Sequence, residues 1–196
     1  MVKIKEVYDF IDSLAPFATQ ADFDNSGFLV GDMNRYIRHV GVVLDVTQQT
    51  LAAARHLGVD LVITHHPVLF DATRRFTAGN MAFELAAAGI AAISAHTSLD
   101  CAPGGVNDVL ANLLEVDKVE PFPTAEYPAG VLRVGFLKQE NAEELAEYVG
   151  KKLFTDVKYC DGGKEIETVA ICGGSGGSLV GEVIDAGIDA YITGEV

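Results

Sequence analysis

The stretch from Arg38 to Thr64 constrains this chain more than any other. RHVGVVLDV (Arg38–Val46) is an apolar strand, and Thr47 can cap a helix after it. Leu51, Ala54 and Leu57 recur on one helical face, Gly58 closes the helix, and VDLVIT (Val59–Thr64) is a second apolar strand. Strands that are apolar throughout must be covered on both faces, which points to a parallel sheet flanked by helices. The rhythm continues with a helix over Met81–Ala88, stopped by Gly89, and a third strand over Ile90–Ala95. Gly104 and Gly105 then open a helix whose Val106, Val109, Leu110, Leu113 and Leu114 share a face. Ahead of the strands, residues 3–15 form an amphipathic helix through Ile4, Val7, Ile11 and Leu14, ended by Pro16. The polar run Asp22–Asp32 is a loop leading into a short strand.

The pattern breaks at Val119–Tyr127, a loop rich in Pro, Glu and Phe, which marks a boundary. The expected division is 1–120 and 121–196. Beyond it, Val131–Lys138 alternates like a half-exposed strand, and Asn141 caps a helix with Glu144 three residues on. Strand Ile166–Cys172 runs into GGSGG (Gly173–Gly177), a helix and strand Ile188–Thr193. A weak internal repeat links the halves. Gly58-Val59-Asp60-Leu61-Val62-Ile63-Thr64 matches Gly187-Ile188-Asp189-Ala190-Tyr191-Ile192-Thr193 at the glycine, the aspartate and the Ile-Thr ending. A duplication and the shared demands of one fold unit both account for it.

At 196 residues the chain is one large or two small domains, taking about 150 residues per domain. With 14 Lys+Arg against 28 Asp+Glu, its formal net charge is −14. Such a chain repels phosphate backbones, and no basic stripe is present, so no direct nucleic-acid contact is expected. The N-terminus carries Lys3, Lys5, Glu6, Asp9 and Asp12, unlike a secretory signal. The longest greasy run, Leu85–Ala95, is too short for a bilayer, so no membrane partner is expected. Three cysteines (Cys101, Cys160, Cys172) without metal spacing suit reduced thiols in a cytoplasmic protein.

In parallel sheets ligands gather beyond the carboxyl ends of strands. Those ends hold Asp45, His65 and His66, His96 and Asp100, and Glu195. The His65-His66 pair is the sharpest signal. Pro67 forces His66 into an extended conformation, and at a strand tip both imidazoles can lean over one rim, diverging enough for two ions. Imidazole with carboxylate suits Zn, Mn or Fe better than Ca; two histidines hydrogen-bonded in a turn is the plainer alternative. His96 and Asp100 are four apart in an expected loop, and adjacent strands would bring them beside His65 and His66. His96 is a candidate acid/base group or a partner that orients a ligand. GGSGG reads as a tight turn, with a phosphate cradle as the alternative, because it lacks the P-loop lysine. Asp24-Asn25 reads as an Asx turn, and Asp45 as a cap before a helix.

Taken together, the chain resembles the Nif-three-like family of dinuclear-metal proteins, often labelled GTP cyclohydrolase I type 2 homologues. The matching pieces run in the family's order along nearly the whole chain. They are Asp24-Asn25-Ser26-Gly27-Phe28-Leu29-Val30-Gly31, Leu44-Asp45-Val46-Thr47, Ile63-Thr64-His65-His66-Pro67, Ser94-Ala95-His96-Thr97-Ser98-Leu99-Asp100 with Gly105-Val106-Asn107, Gly174-Ser175-Gly176-Gly177-Ser178 and Ile192-Thr193-Gly194-Glu195. One departure is Phe23, where such proteins often carry tryptophan. The resemblance implies two similar, pseudo-symmetric α/β halves with mostly parallel sheets and a cleft for two divalent ions between them. It implies His65, His66 and Asp100 as ligands, His96 lining the same pocket, and a toroidal homohexamer. In the family a further His and Glu follow the Thr-Gly-Glu segment, whereas this sequence stops at Val196. His65, His66 and Asp100 alone cannot fill two ions. The expectation for these residues is therefore a second half cut short at its end, with one weakly held ion or none, and no turnover.

For the intact site the implied function is a dinuclear metal-dependent hydrolase of a small substrate such as a nucleotide or another phosphate-containing compound. The alternative is a non-catalytic metal-binding or regulatory assembly.

Overall fold

The computed structural model describes residues 1–196, which form two units, Met1–Ala102 and Pro103–Val196. In the first, strand β1 (Val2–Lys3) leads directly into helix α1 (Ile4–Leu14), and β2 (Gly27–Val30) and β3 (Tyr36–Ile37) follow. The strand–helix–strand run is β4 (Val40–Val43), α2 (Gln48–His56) and β5 (Leu61–Thr64). Next come α3 (Met81–Ala87), β6 (Ala91–Ser94) and the short α4 (Thr97–Cys101). Local chemistry sets the helix starts. Thr47 and Thr50 close a reciprocal capping box at α2, and Asn80 accepts from Phe83 N at α3.

The main sheet runs β2-β6-β5-β4, with β6, β5 and β4 parallel and β2 antiparallel to β6. Both faces are covered, which is why its strands read as apolar throughout. Leu61, Ala91 and Ile93 pack with Ile4, Ile11, Phe17 and Ile37 on one side. Val62 and Ala92 pack with Leu51, Ala54 and Leu85 on the other. Leu51, Leu61, Leu85 and Ile93 are at most 1% exposed, and each such side chain contributes about 1.5–3 kcal/mol on burial.

The second unit holds α5 (Val106–Leu113), β7 (Asp117–Phe122), β8 (Leu132–Gln139), α6 (Ala142–Leu153), β9 (Ile166–Ser175), α7 (Val180–Asp185) and β10 (Ala190–Glu195). Its sheet is β10-β9-β8-β7. Only β9 and β10 are parallel; β7, β8 and β9 pair antiparallel, so this sheet is mixed. Val169 and Ile171 share a core with Ala111 of α5, with Leu114 at its end, and with Leu145 and Val149 of α6.

Three details depart from the sequence reading. The division falls at 102/103 rather than 120/121, because α5 and β7 belong to the second unit. Part of the expected loop at 119–127 is the strand β7, which tolerates Pro121 because it lies at a sheet edge. Helix α5 buries Asn107, Ala111 and the following Leu114, while Val109 and Leu113 stay half-exposed. The Asn107 amide settles that face: its Nδ2 donates to Val131 O (2.9 Å) and its Oδ1 accepts from Gly173 N (2.6 Å). No helix is long and apolar enough to cross a membrane.

Candidate metal centre

The parallel pairing of β5 with β6 positions the candidate residues. Thr64 and Ser94 are in register, and their hydroxyls hydrogen-bond at 2.6 Å. The ladder continues past the strand ends. His65 N donates to Val43 O (3.4 Å), His66 N to Leu44 O (3.1 Å) and Ala95 N to Thr64 O (2.9 Å). His65-His66 and His96 therefore leave neighbouring strands at the same level. The three imidazoles meet there, with ring centroids 5.0 Å apart for His65–His66, 5.2 Å for His65–His96 and 5.6 Å for His66–His96.

Each ring is fixed through Nδ1. His65 Nδ1 lies 2.9 Å from Ala95 O, His66 Nδ1 2.7 Å from Asp45 Oδ1, and His96 Nδ1 2.9 Å from Asp24 Oδ1. A carbonyl and two carboxylates accept hydrogen bonds, so each Nδ1 carries a proton and Nε2 is the ring atom a metal ion would take. His65 Nε2 also lies 3.6 Å from Asp100 Oδ1, whose side chain is mostly buried.

Asp24 is the most heavily bonded acid of the group, and its side chain is fully buried. Besides His96 it accepts from Thr97 N (3.0 Å), Thr97 Oγ1 (2.5 Å), Ser26 Oγ (2.9 Å) and Asn25 N (2.7 Å). Burial alone would raise its pKa; the hydrogen bonds from His96, Thr97 and Asn25 override this and hold the carboxyl far below the usual carboxylate range. His96 responds in the opposite sense. Burial disfavours its charged form, but the hydrogen bond and charge of Asp24 outweigh that and raise its pKa. Burial pushes Asp100 up, against the pull of the neighbouring imidazoles.

The profile of the family described as Duf34/NIF3 (NGG1p interacting factor 3) matches residues 2–196. The chain belongs to this family. A Lactococcus lactis relative named GTP cyclohydrolase 1 type 2 homolog is 33% identical over 204 residues, spanning 100% of this chain and 78% of its own. Among solved structures, reduced HcgD from Methanocaldococcus jannaschii superposes with a TM-score of 0.80 at 31% identity, covering 100% of this chain and 79% of that one. A Staphylococcus aureus hypothetical protein reaches a TM-score of 0.88 at 23% identity, covering 99% and 79%, and shares the fold.

In this Duf34/NIF3 chain the donor set suits a metal ion. One ligand atom from each of His65, His66 and His96 lies within 4.8 Å of the others. Around a tetrahedral ion with Zn–N bonds of about 2.0–2.1 Å, donors sit about 3.4 Å apart, so shifts of under about an ångström would close the cluster.

Several residues differ from their sequence reading. His96 and Asp100 lie at the cap and within the helix α4, where Asp100 N donates to His96 O, so their spacing is helical rather than a loop's. Asp45 is not the helix cap, which is Thr47; its carboxylate holds His66. Asp24 is more than an Asx turn, and only its place in the Asp-Asn-Ser-Gly match hinted at this. Glu195 ends β10 in the second unit, where its backbone carbonyl accepts from Gly176 N. In GGSGG, a Cβ on Gly176 would lie 2.1 Å from the Tyr191 hydroxyl, so close packing explains that glycine.

Proposed function

We propose that the first unit is the metal-binding half of a metal-dependent hydrolase acting on a small nucleotide or other phosphate-containing compound. His65, His66 and Asp100 hold a divalent ion, of the Zn, Mn or Fe class, and His96 is the acid/base group. The observation that carries this reading is that all three imidazoles are tied off at Nδ1, so their Nε2 edges are left to one pocket. A bound divalent ion supplies Lewis acidity at neutral pH. The protein's own residues do the rest. Asp45 and the Ala95 carbonyl hold the tautomer and tilt of the two ligand rings. Asp24 keeps His96 basic enough to accept a proton and return it. The names of the curated relatives support a nucleotide as the compound acted on. A homohexamer, implied by the family resemblance, belongs to the same reading and is testable by sedimentation.

Turnover of a panel of nucleotides and phosphoesters by the full-length protein with added Mn or Zn tests this function. Hydrolysis that disappears in His65→Ala supports it. Rates unchanged by that substitution contradict it, and tight metal binding without turnover across the panel favours a metal carrier or sensor.

A further inference from the structure

Beside the histidine cluster lies an open cavity of roughly 400 Å³ in the first unit, bounded by Asp24, Asn25, Phe70, Asp71, Thr73 and Phe76. Phe70 and Phe76 are 47% and 52% exposed, and Phe23, at 48%, packs its ring 6.3 Å from that of Phe70. Single exposed phenylalanines need no explanation; two lining one cavity, with a third packed against one of them, leave apolar surface in water that a ligand would cover. The cavity adjoins the site: its wall residue Phe70 meets the His96 ring edge-on with centroids 6.1 Å apart, and Asp24, which holds His96, also lines it.

We propose that this cavity seats the planar nitrogen-heterocyclic ring of the substrate, with Phe70 and Phe76 as its stacking walls. Its volume matches a small molecule and is too small for a protein segment of any length. The wall contains no lysine or arginine and includes two aspartates, so an anionic group is excluded from it. Its polar atoms favour a ring edge that donates hydrogen bonds. Asn25 gives one of its two Nδ2 hydrogens to Leu69 O (2.5 Å) and keeps its amide oxygen as an acceptor, and Asp71 brings a carboxylate. Ring and reacting group would then divide between the phenylalanine cavity and the imidazoles. This assignment rests on the histidine cluster being the reaction site, but the ring subsite itself requires no metal.

The test is calorimetric titration of metal-free protein with adenosine 5′-monophosphate, guanosine 5′-monophosphate and ribose 5-phosphate. The expected result is that at least one ring-bearing probe binds at least about tenfold more tightly than ribose 5-phosphate, and that Phe76→Leu or Phe70→Leu weakens it about tenfold. Both side chains are half-exposed, so thermal melts of the variants should stay unchanged. Equal binding of ribose 5-phosphate, no binding of either nucleotide, or ring binding indifferent to both variants would overturn the proposal. A parallel zinc titration separates the two ideas. Zinc binding without ring binding rejects the subsite alone, whereas ring binding lost in Phe76→Leu without zinc binding upholds the subsite and rejects the metal reading.

Discussion

Asp60 and Asp189 do the same work in the two units. Asp60 Oδ2 accepts from Arg38 N (2.8 Å) and His39 N (3.1 Å); Asp189 Oδ2 accepts from Glu167 N (3.2 Å) and Thr168 N (2.9 Å). Each lies two residues after a left-handed glycine, Gly58 at φ +64° or Gly187 at φ +70°. Each preceding helix closes alike, through Val59 N→Ala54 O and Ile188 N→Val183 O. The strand–helix–strand units align from 38–66 onto 167–195 without insertion or deletion. A short sequence match is thus a shared hydrogen-bond scheme, in which a carboxylate at the start of one strand ties down the start of its neighbour.

Both carboxylates titrate below the ordinary aspartate range. For Asp60 the leading cause is the hydrogen bond from Arg38 N, and for Asp189 it is the Thr168 hydroxyl. A depressed folded-state pKa gives a stabilisation that is complete above the unfolded value of about 3.9 and lost as pH falls through the folded value. Thermal midpoints of Asp60→Ala and Asp189→Ala should therefore lie below wild type at pH 7. The gap should shrink steadily below about pH 4. A gap independent of pH would assign the loss to packing instead.

Asp24→Asn should weaken the field on His96. The imidazole pKa, followed by NMR, is expected to fall, because the charge and the acceptor that raise it are removed. Stability should drop by about 1–3 kcal/mol, since the amide cannot accept from all of the donors grouped on Asp24. An unchanged His96 titration would mean that this carboxylate does not set the basicity of the ring.

Two glycines make opposite predictions. A Cβ on Gly135 in β8 would sit 2.6 Å from Asp117 O and 2.6 Å from Val116 Cγ1, so Gly135→Ala should cost about 1–3 kcal/mol in chemical denaturation. Gly181 in α7 has open space around its Cβ position, and Gly181→Ala should be neutral or stabilise by up to about 1 kcal/mol.

Much of this was legible in the residues themselves. The apolar strands around Gly58 and Gly89 announce a sheet covered on both faces, and strand order alone brings His65, His66 and His96 to one rim. What escaped was set by tertiary partners. Asp24 and Asp45 look like turn and cap residues locally, because their acceptors' work is done on imidazoles 72 and 21 residues away. Helix α5 hides its face for the same reason: Asn107 is buried only because Val131 O and Gly173 N await it. In β7, charged residues and Pro121 disguise a strand that pairs on one side only.

Removing a ring's hydrogen-bond partner should act on metal affinity without touching a ligand. Asp45→Ala leaves His66 in place but frees its Nδ1, and zinc affinity is expected to weaken by about 10–100-fold. Competition with a chromogenic chelator would read the change. Undiminished affinity would show that His66 needs no orienting carboxylate.

The most direct measurement is the zinc or manganese bound per chain by wild type and by His65→Ala, after metal loading and dialysis, with folding checked by circular dichroism. Convergence of His65, His66 and Asp100 on one ion predicts saturable binding in wild type and its loss in the folded variant. Wild-type protein that retains no metal, or a variant that retains as much as wild type, would contradict it.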